Sequence, residues 1–134
     1  MIAGNRNEGI SISKGVNFSI RYNNLSTNAV GTAFLPNGEP GGGLATNPDI
    51  KISRSDLLSI NDNVAMQGIW ILGSETYPVT EVTMLRNYVG VTRSGFARPA
   101  SITRTGIRAE YMYNNSQIAF NRITGFRTGI HIDD

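Results

Sequence analysis

The chain of 134 residues has no cysteine, which removes both a disulfide framework and any thiolate metal site from consideration. It has one histidine, His131, too few for a Ser/His/Asp arrangement to be read convincingly. No apolar run approaches the ~18 residues that a membrane-spanning helix requires, so no membrane partner is expected. The N-terminal stretch Met1-Ile2-Ala3-Gly4-Asn5 lacks the apolar core of a signal peptide. Apolar stripes at helical spacing are also scarce. What the sequence has in their place is period-2 alternation, as in Ile10-Ser11-Ile12 and Ile130-His131-Ile132, and fifteen glycines among many Asn, Ser and Thr residues. That combination describes short half-buried strands joined by frequent turns.

Two short patterns recur in a fixed order. One is Gly-apolar-x-apolar, in Gly9-Ile10-Ser11-Ile12, Gly31-Thr32-Ala33-Phe34, Gly68-Ile69-Trp70-Ile71, Gly106-Ile107-Arg108-Ala109 and Gly129-Ile130-His131-Ile132. The other is apolar-x-x-Asn-x-apolar, from Ile20 to Leu25 with Asn23, Met84 to Val89 with Asn87, and Ile118 to Ile123 with Asn121. Ile52 to Leu57 fits the second pattern with Ser55 in the Asn place, and Ile2-x-x-Asn5 begins a further copy. Self-similarity at tens of residues marks a repeat architecture in which one unit stacks on the next. On this alignment Ile20, Ile52, Met84 and Ile118 form one inward-facing column. The segment from Phe34 to Asp49, rich in Pro and Gly, is expected to be irregular. Its Gly41-Gly42-Gly43 lacks the Gly-Lys-Ser/Thr that a phosphate cradle needs.

These copies resemble the right-handed parallel β-helix of the pectin-lyase-like superfamily, to which pectate lyases, polygalacturonases, alginate epimerases and phage tailspikes belong. The resemblance implies an all-β solenoid of about four to five coils with long loops, formed by residues 1–134 as a single domain. A β-sandwich is the alternative, since short strands with frequent turns are also its signature. In the solenoid, Asn5, Asn23, Asn87 and Asn121 fall at one corner of successive coils, where amides at a ~4.8 Å spacing can bond from rung to rung. Neither end carries a cap segment. The chain therefore reads as part of a longer β-helix, or as a subunit whose open ends are covered in a homo-oligomer. The fold resemblance further implies an extracellular or virion-surface location.

Aligning the copies also sorts outward side chains into columns. The strand position in Gly-apolar-x-apolar reads Ser11, Ala33, Trp70, Arg108, His131. An indole beside a guanidinium and an imidazole suits a sugar ring bearing carboxylates or sulfates. A second column reads Asn17, Asp49, Glu81, Asn115. Asp49 and Glu81 on adjacent coils would form a candidate acid and base pair, because like charges that close push one pKa up. No cofactor is implied, although such a pair also fits Ca²⁺. The signatures of the resembled families are missing: there is no Gly-His-Gly, Asn-Thr-Asp, Asp-Pro-His or Asp-His pair.

Charge adds a further indication. Ten of the twelve cations are Arg, and Arg86, Arg93, Arg98, Arg104, Arg108, Arg122 and Arg127 face only Glu110 over that stretch. Arg selects planar carboxylate, sulfate or phosphate groups. An acidic polysaccharide fits; nucleic acid fits the charge but lacks a stacking platform. Two functional expectations follow: a β-helix that binds an acidic polysaccharide through Trp70, Arg108, His131 and Arg86 and cleaves or modifies it through Asp49 and Glu81, as a lyase or glycoside hydrolase does, or a non-catalytic β-helix of a phage tail or surface adhesin.

Overall fold

A computed structural model describes residues 1–3, 8–35, 37, 47–97 and 105–134. The described residues contain fourteen strands and no helix. Every pairing between these strands is parallel, unlike the antiparallel sheets of a sandwich. Sheet I joins β1 (Ile10–Ser13), β4 (Ile50–Ser53), β7 (Ile69–Leu72), β10 (Thr105–Glu110) and β14 (Thr128–Asp133) in that order. Sheet II joins β2 (Val16–Arg21), β5 (Asp56–Asn61) and β8 (Val79–Leu85), with β11 (Met112–Tyr113) and β12 (Gln117–Ala119) both on β8. Sheet III joins β3 (Asn24–Leu25), β6 (Val64–Ala65), β9 (Tyr88–Val89) and β13 (Arg122–Ile123). Along the chain the strands are dealt to sheets I, II and III in turn, and no sheet closes on itself.

The register corrects two sequence alignments. Ile20 pairs with Ile60, Ile60 with Met84 and Met84 with Ile118, so the second member of that column is Ile60 and not Ile52. Ile52 lies in sheet I between Ile12 and Ile71. The overlooked copy is Ile60-x-x-Asn63-x-Ala65, whose final apolar residue is small and whose Asn63 follows an acid. Leu57, taken from sequence as an anchor, is exposed with φ of 56°. In the other pattern, Asp49-Ile50-Lys51-Ile52 is a copy with Asp in the Gly place. Gly31-Thr32-Ala33-Phe34 is no part of sheet I; Phe34 makes an antiparallel bridge to Thr27. Ile2 makes an isolated parallel bridge to Leu25 of β3 and does not join the column of Ile20. Asn5 and most of the segment expected to be irregular, Phe34 to Asp49, lie outside the described residues.

Between the sheets lies a core of stacked aliphatic side chains. Ile50, Ile52, Ile69, Ile71 and Ile107 come from sheet I, Ile60, Val82 and Met84 from sheet II, and Leu25, Ala65 and Val89 from sheet III, all essentially inaccessible. Full burial of each larger side chain is worth about 1.5–3 kcal/mol. The glycines that open the sheet I strands press against the next strand. A Cβ on Gly68, where φ is +112°, would lie 2.8 Å from the Gly106 carbonyl oxygen.

The corner between sheets II and III explains the Asn pattern. Tyr22, Asp62, Arg86 and Phe120 hold φ between 53° and 58°, a left-handed conformation that costs a residue other than Gly roughly 1–2 kcal/mol. The asparagine that follows each one repairs the corner. Asn23 N–H donates to Asn63 Oδ1 at 3.0 Å, Asn63 N–H to Asn87 Oδ1 at 3.0 Å, and Asn87 N–H to Asn121 Oδ1 at 2.9 Å. The amide nitrogens run in the same direction, Nδ2 to Oδ1, at 3.1, 3.1 and 2.9 Å. They also donate to the backbone carbonyls of Ile20, Ile60 and Met84 from Asn63, Asn87 and Asn121. The ladder expected from sequence is present, with Asn63 as its member and Ser55 at a different corner, where its hydroxyl accepts Gly15 N–H at 3.0 Å.

Candidate functional site

Alternation along the strands of sheet I sends Ile10, Ile50, Ile69 and Ile107 inward and the next residue of each strand outward. Pairing of Ser11 with Lys51, Lys51 with Trp70, Trp70 with Arg108, and Arg108 with His131 makes one continuous outer column. The structure thus brings Trp70, Arg108 and His131 together on successive strands. It adds Lys51, which sequence reading missed because Asp49 hides the repeat in which Lys51 stands, and it removes Ala33.

The column has an aromatic centre and balanced charge. The Arg108 guanidinium lies over the Trp70 ring, 5.5 Å from its centroid, and the indole Nε1–H points at the Thr105 carbonyl oxygen, 3.5 Å away. Arg108 Nε–H donates to Glu110 Oε1 at 2.6 Å, two residues along the same strand face. Lys51 Nζ is 3.2 Å from Glu8, and His131 Nε2 is 4.0 Å from Asp133. Lys51 and Arg108 each have a carboxylate neighbour that is largely covered, Glu8 at 14% and Glu110 at 20% side-chain exposure, and His131 stands near Asp133.

Asp49 and Glu81 are not brought together. Asp49 precedes β4 of sheet I and is fully buried, whereas Glu81 is an exposed residue of β8 in sheet II. The residues at the Glu81 level are Asn17 and Leu57, both with left-handed backbone like Glu81 itself, so Leu57 takes the place assigned to Asp49. The mis-step has the same origin as the Ile52 misalignment: loops of different length shift a uniform repeat out of register. Glu81 faces an open groove with Asn17, Arg21, Ser59, Thr83 and Asn115. Asp49 belongs to a buried polar knot. Ser26 Oγ lies 2.5 Å from Asp49 Oδ1, Asn37 Nδ2 donates to the same oxygen at 2.9 Å, and Gln67 N–H donates to Asp49 Oδ2 at 2.8 Å. These contacts pin the start of β4 to the end of β3 and to the corner after β6. The two-carboxylate arrangement that suggested a Ca²⁺ site is not formed, and no group of three or more metal-ligating side chains occurs among the described residues.

Arg86 stands apart from the sheet I face, at the corner of the Asn ladder. It makes a two-pronged pair with Asp62, Nε to Oδ1 at 2.9 Å and Nη2 to Oδ2 at 3.0 Å. The hydrogen bond from Arg86 holds the Asp62 carboxyl below its ordinary value, aided by the positive charges of Arg86, Arg93 and Arg21. Arg93 lies over the Tyr88 ring at 5.7 Å and donates to the Asp62 carbonyl oxygen. Of the arginine stretch, Arg86, Arg93 and Arg108 thus have internal partners, and Arg98 and Arg104 lie outside the described residues. Comparison with protein-family models, with curated proteins and with solved structures finds no match.

Proposed function

We propose that the chain is a right-handed parallel β-helix of four coils and the start of a fifth, and that it binds an acidic polysaccharide along the outer face of sheet I. The observation that carries the reading is the unbroken column Lys51, Trp70, Arg108, His131 on four adjacent strands. Repetition at the strand spacing of ~4.8 Å gives a flat ribbed surface on which an extended glycan can lie. The half-buried indole contributes apolar area, and the flanking cations contribute partners for carboxylates. The role proposed is binding: the two carboxylates named from sequence for acid and base work are not brought together, Asp49 lying buried before β4 and Glu81 exposed on β8.

A second reading is a rigid structural element of a tail fibre or adhesin. It is supported by the Asn ladder, which ties four successive corners together through side-chain amides. Calorimetric titration with oligogalacturonate, oligoalginate and a neutral cello-oligosaccharide decides between the two. The binding reading expects saturable affinity for the uronates, weak affinity for the neutral glycan, and at least tenfold loss in Trp70→Ala at every salt concentration. Lys51→Ala and Arg108→Ala should act mainly at low salt, because exposed charges are screened within about 8 Å at physiological ionic strength. Absence of binding to all three glycans would leave the structural element.

A further inference from the structure

Lys51, Arg86 and Arg108 are paired with carboxylates of the protein, whereas among the described residues Lys14 and Arg54 are not. Ser13 pairs with Ser53, so the residues that follow them, Lys14 and Arg54, stand on neighbouring corners one strand spacing apart. Both have left-handed backbone, φ 60° and 51°, and among the described residues neither forms an ion pair.

The chain after β7 builds a wall beside this pair. Ser74 N–H donates to the Tyr77 carbonyl oxygen and Tyr77 N–H to the Ser74 carbonyl oxygen, both at 3.1 Å, and Ser74 Oγ accepts Tyr77 N–H at 3.2 Å. This closed turn sets the Tyr77 ring 5.2 Å from the Arg54 guanidinium while leaving the residue 56% exposed. Pro78 continues the apolar side. Asp56 also lines the cleft, and its Oδ1 accepts Thr80 N–H at 3.1 Å and Thr80 Oγ1–H at 2.8 Å. The result is a cleft of about 370 Å³ lined by two cations, one engaged carboxylate, an aromatic ring and a proline, within the size range of small-ligand sites.

We propose that this cleft is a second binding site, separate from the sheet I face, which takes the carboxylate or sulfate of an acidic sugar with the pyranose ring against Tyr77 and Pro78. Arg54 supplies the planar fork that matches such an anion, Lys14 a mobile point charge, and Tyr77 holds the fork in place by stacking. The ligand class rests on the polysaccharide reading above; the site rests on its own residues.

The test is residue-resolved NMR titration with three probes: trigalacturonate, its methyl ester, which has the same rings without charge, and sodium sulfate. The expected result is that trigalacturonate shifts the amides of Lys14, Arg54 and Tyr77, with at least tenfold weaker binding for the ester and for the double variant Lys14→Gln, Arg54→Gln. Trp70→Ala should leave these shifts unchanged, and the spectrum of each variant reports directly that it is folded. Equal shifts from acid and ester, or none at these residues, would overturn the cleft. A response to sulfate without one to trigalacturonate would overturn the sugar assignment and leave a simple anion site. Movement of the Trp70 signals alone would overturn the cleft and spare the sheet I face; movement of the cleft alone would do the reverse.

Discussion

Replacing Asn87 by Ala tests the ladder at its centre. The Asn87 side chain accepts from Asn63 N–H and Asn63 Nδ2, and donates to the Ile60 carbonyl oxygen and Asn121 Oδ1. Asn87 and Asn63 are both fully buried, so water does not replace the lost partners. Truncation strands at least two buried backbone groups, Asn63 N–H and the Ile60 carbonyl, at about 1–3 kcal/mol each. The loss should be about 2–6 kcal/mol, set against a total stability on the order of 5–15 kcal/mol for a domain. Asn23→Ala is the internal comparison. Among the described residues Asn23 is the first member of the ladder and no other asparagine donates to its side chain, and its Nδ2 bond to the Arg21 carbonyl is solvent-exposed. Its removal should cost roughly 1 kcal/mol. Urea unfolding with an unchanged slope and a lowered midpoint is the assay. Equal losses for the two variants, or a loss below about 0.5 kcal/mol for Asn87→Ala, would refute the reasoning that the ladder satisfies a buried corner.

Three other outcomes are expected. Gly90→Ala should be among the most damaging single substitutions, because φ is +75° and the added Cβ would lie 2.0 Å from the Thr124 carbonyl oxygen; thermal unfolding showing a near-native midpoint would contradict this. The Asp62 carboxyl is held below its ordinary value of 3.8, so its contribution to stability is complete above that pH and is lost as pH falls through the lowered value. The difference in urea midpoint between wild type and Asp62→Asn should therefore be constant near neutral pH and shrink in acid, and a difference that grows in acid would be evidence against the pair. Ser55→Ala should leave the Asn ladder intact and cost less than Asn63→Ala, since among the described residues the Ser55 hydroxyl bonds Gly15 N–H and the Ser53 carbonyl and no member of the ladder.

The fold was readable where side-chain chemistry repeats and unreadable where it is replaced. Isoleucine alternation and the Asn corners at 23, 87 and 121 were visible because each does one physical job, filling the core or satisfying a left-handed turn. Their spacing misled, because the true intervals between ladder members are 40, 24 and 34 residues and loops absorb the difference. A near-uniform period of 32 therefore selected Ile52 and Ser55 over Ile60 and Asn63. The same substitution of one residue for another hid Lys51: Asp49 occupies a glycine position, and its side chain is used in a buried knot with Ser26 and Gln67. That burial depends on Asn37 and Asp49 meeting Ser26 just after β3, which no local pattern announces. The cleft at Lys14, Arg54 and Tyr77 was equally hidden, since residues 14, 54 and 77 meet only through the register of sheet I and the closed turn at Ser74. Trp70, Arg108 and His131 were legible as a column because their repeats kept the Gly-apolar-x-apolar form.

Trp70 is the single tryptophan, so its indole Nε1–H gives one isolated NMR signal at the centre of the sheet I face. Titration of the protein with an oligouronate while following that signal addresses the binding account at its core. The account expects a saturable shift, matched by the amides of Lys51, Arg108 and His131. An indole signal that stays fixed at a uronate concentration saturating other residues, or a protein that shows no response at any residue, would contradict it.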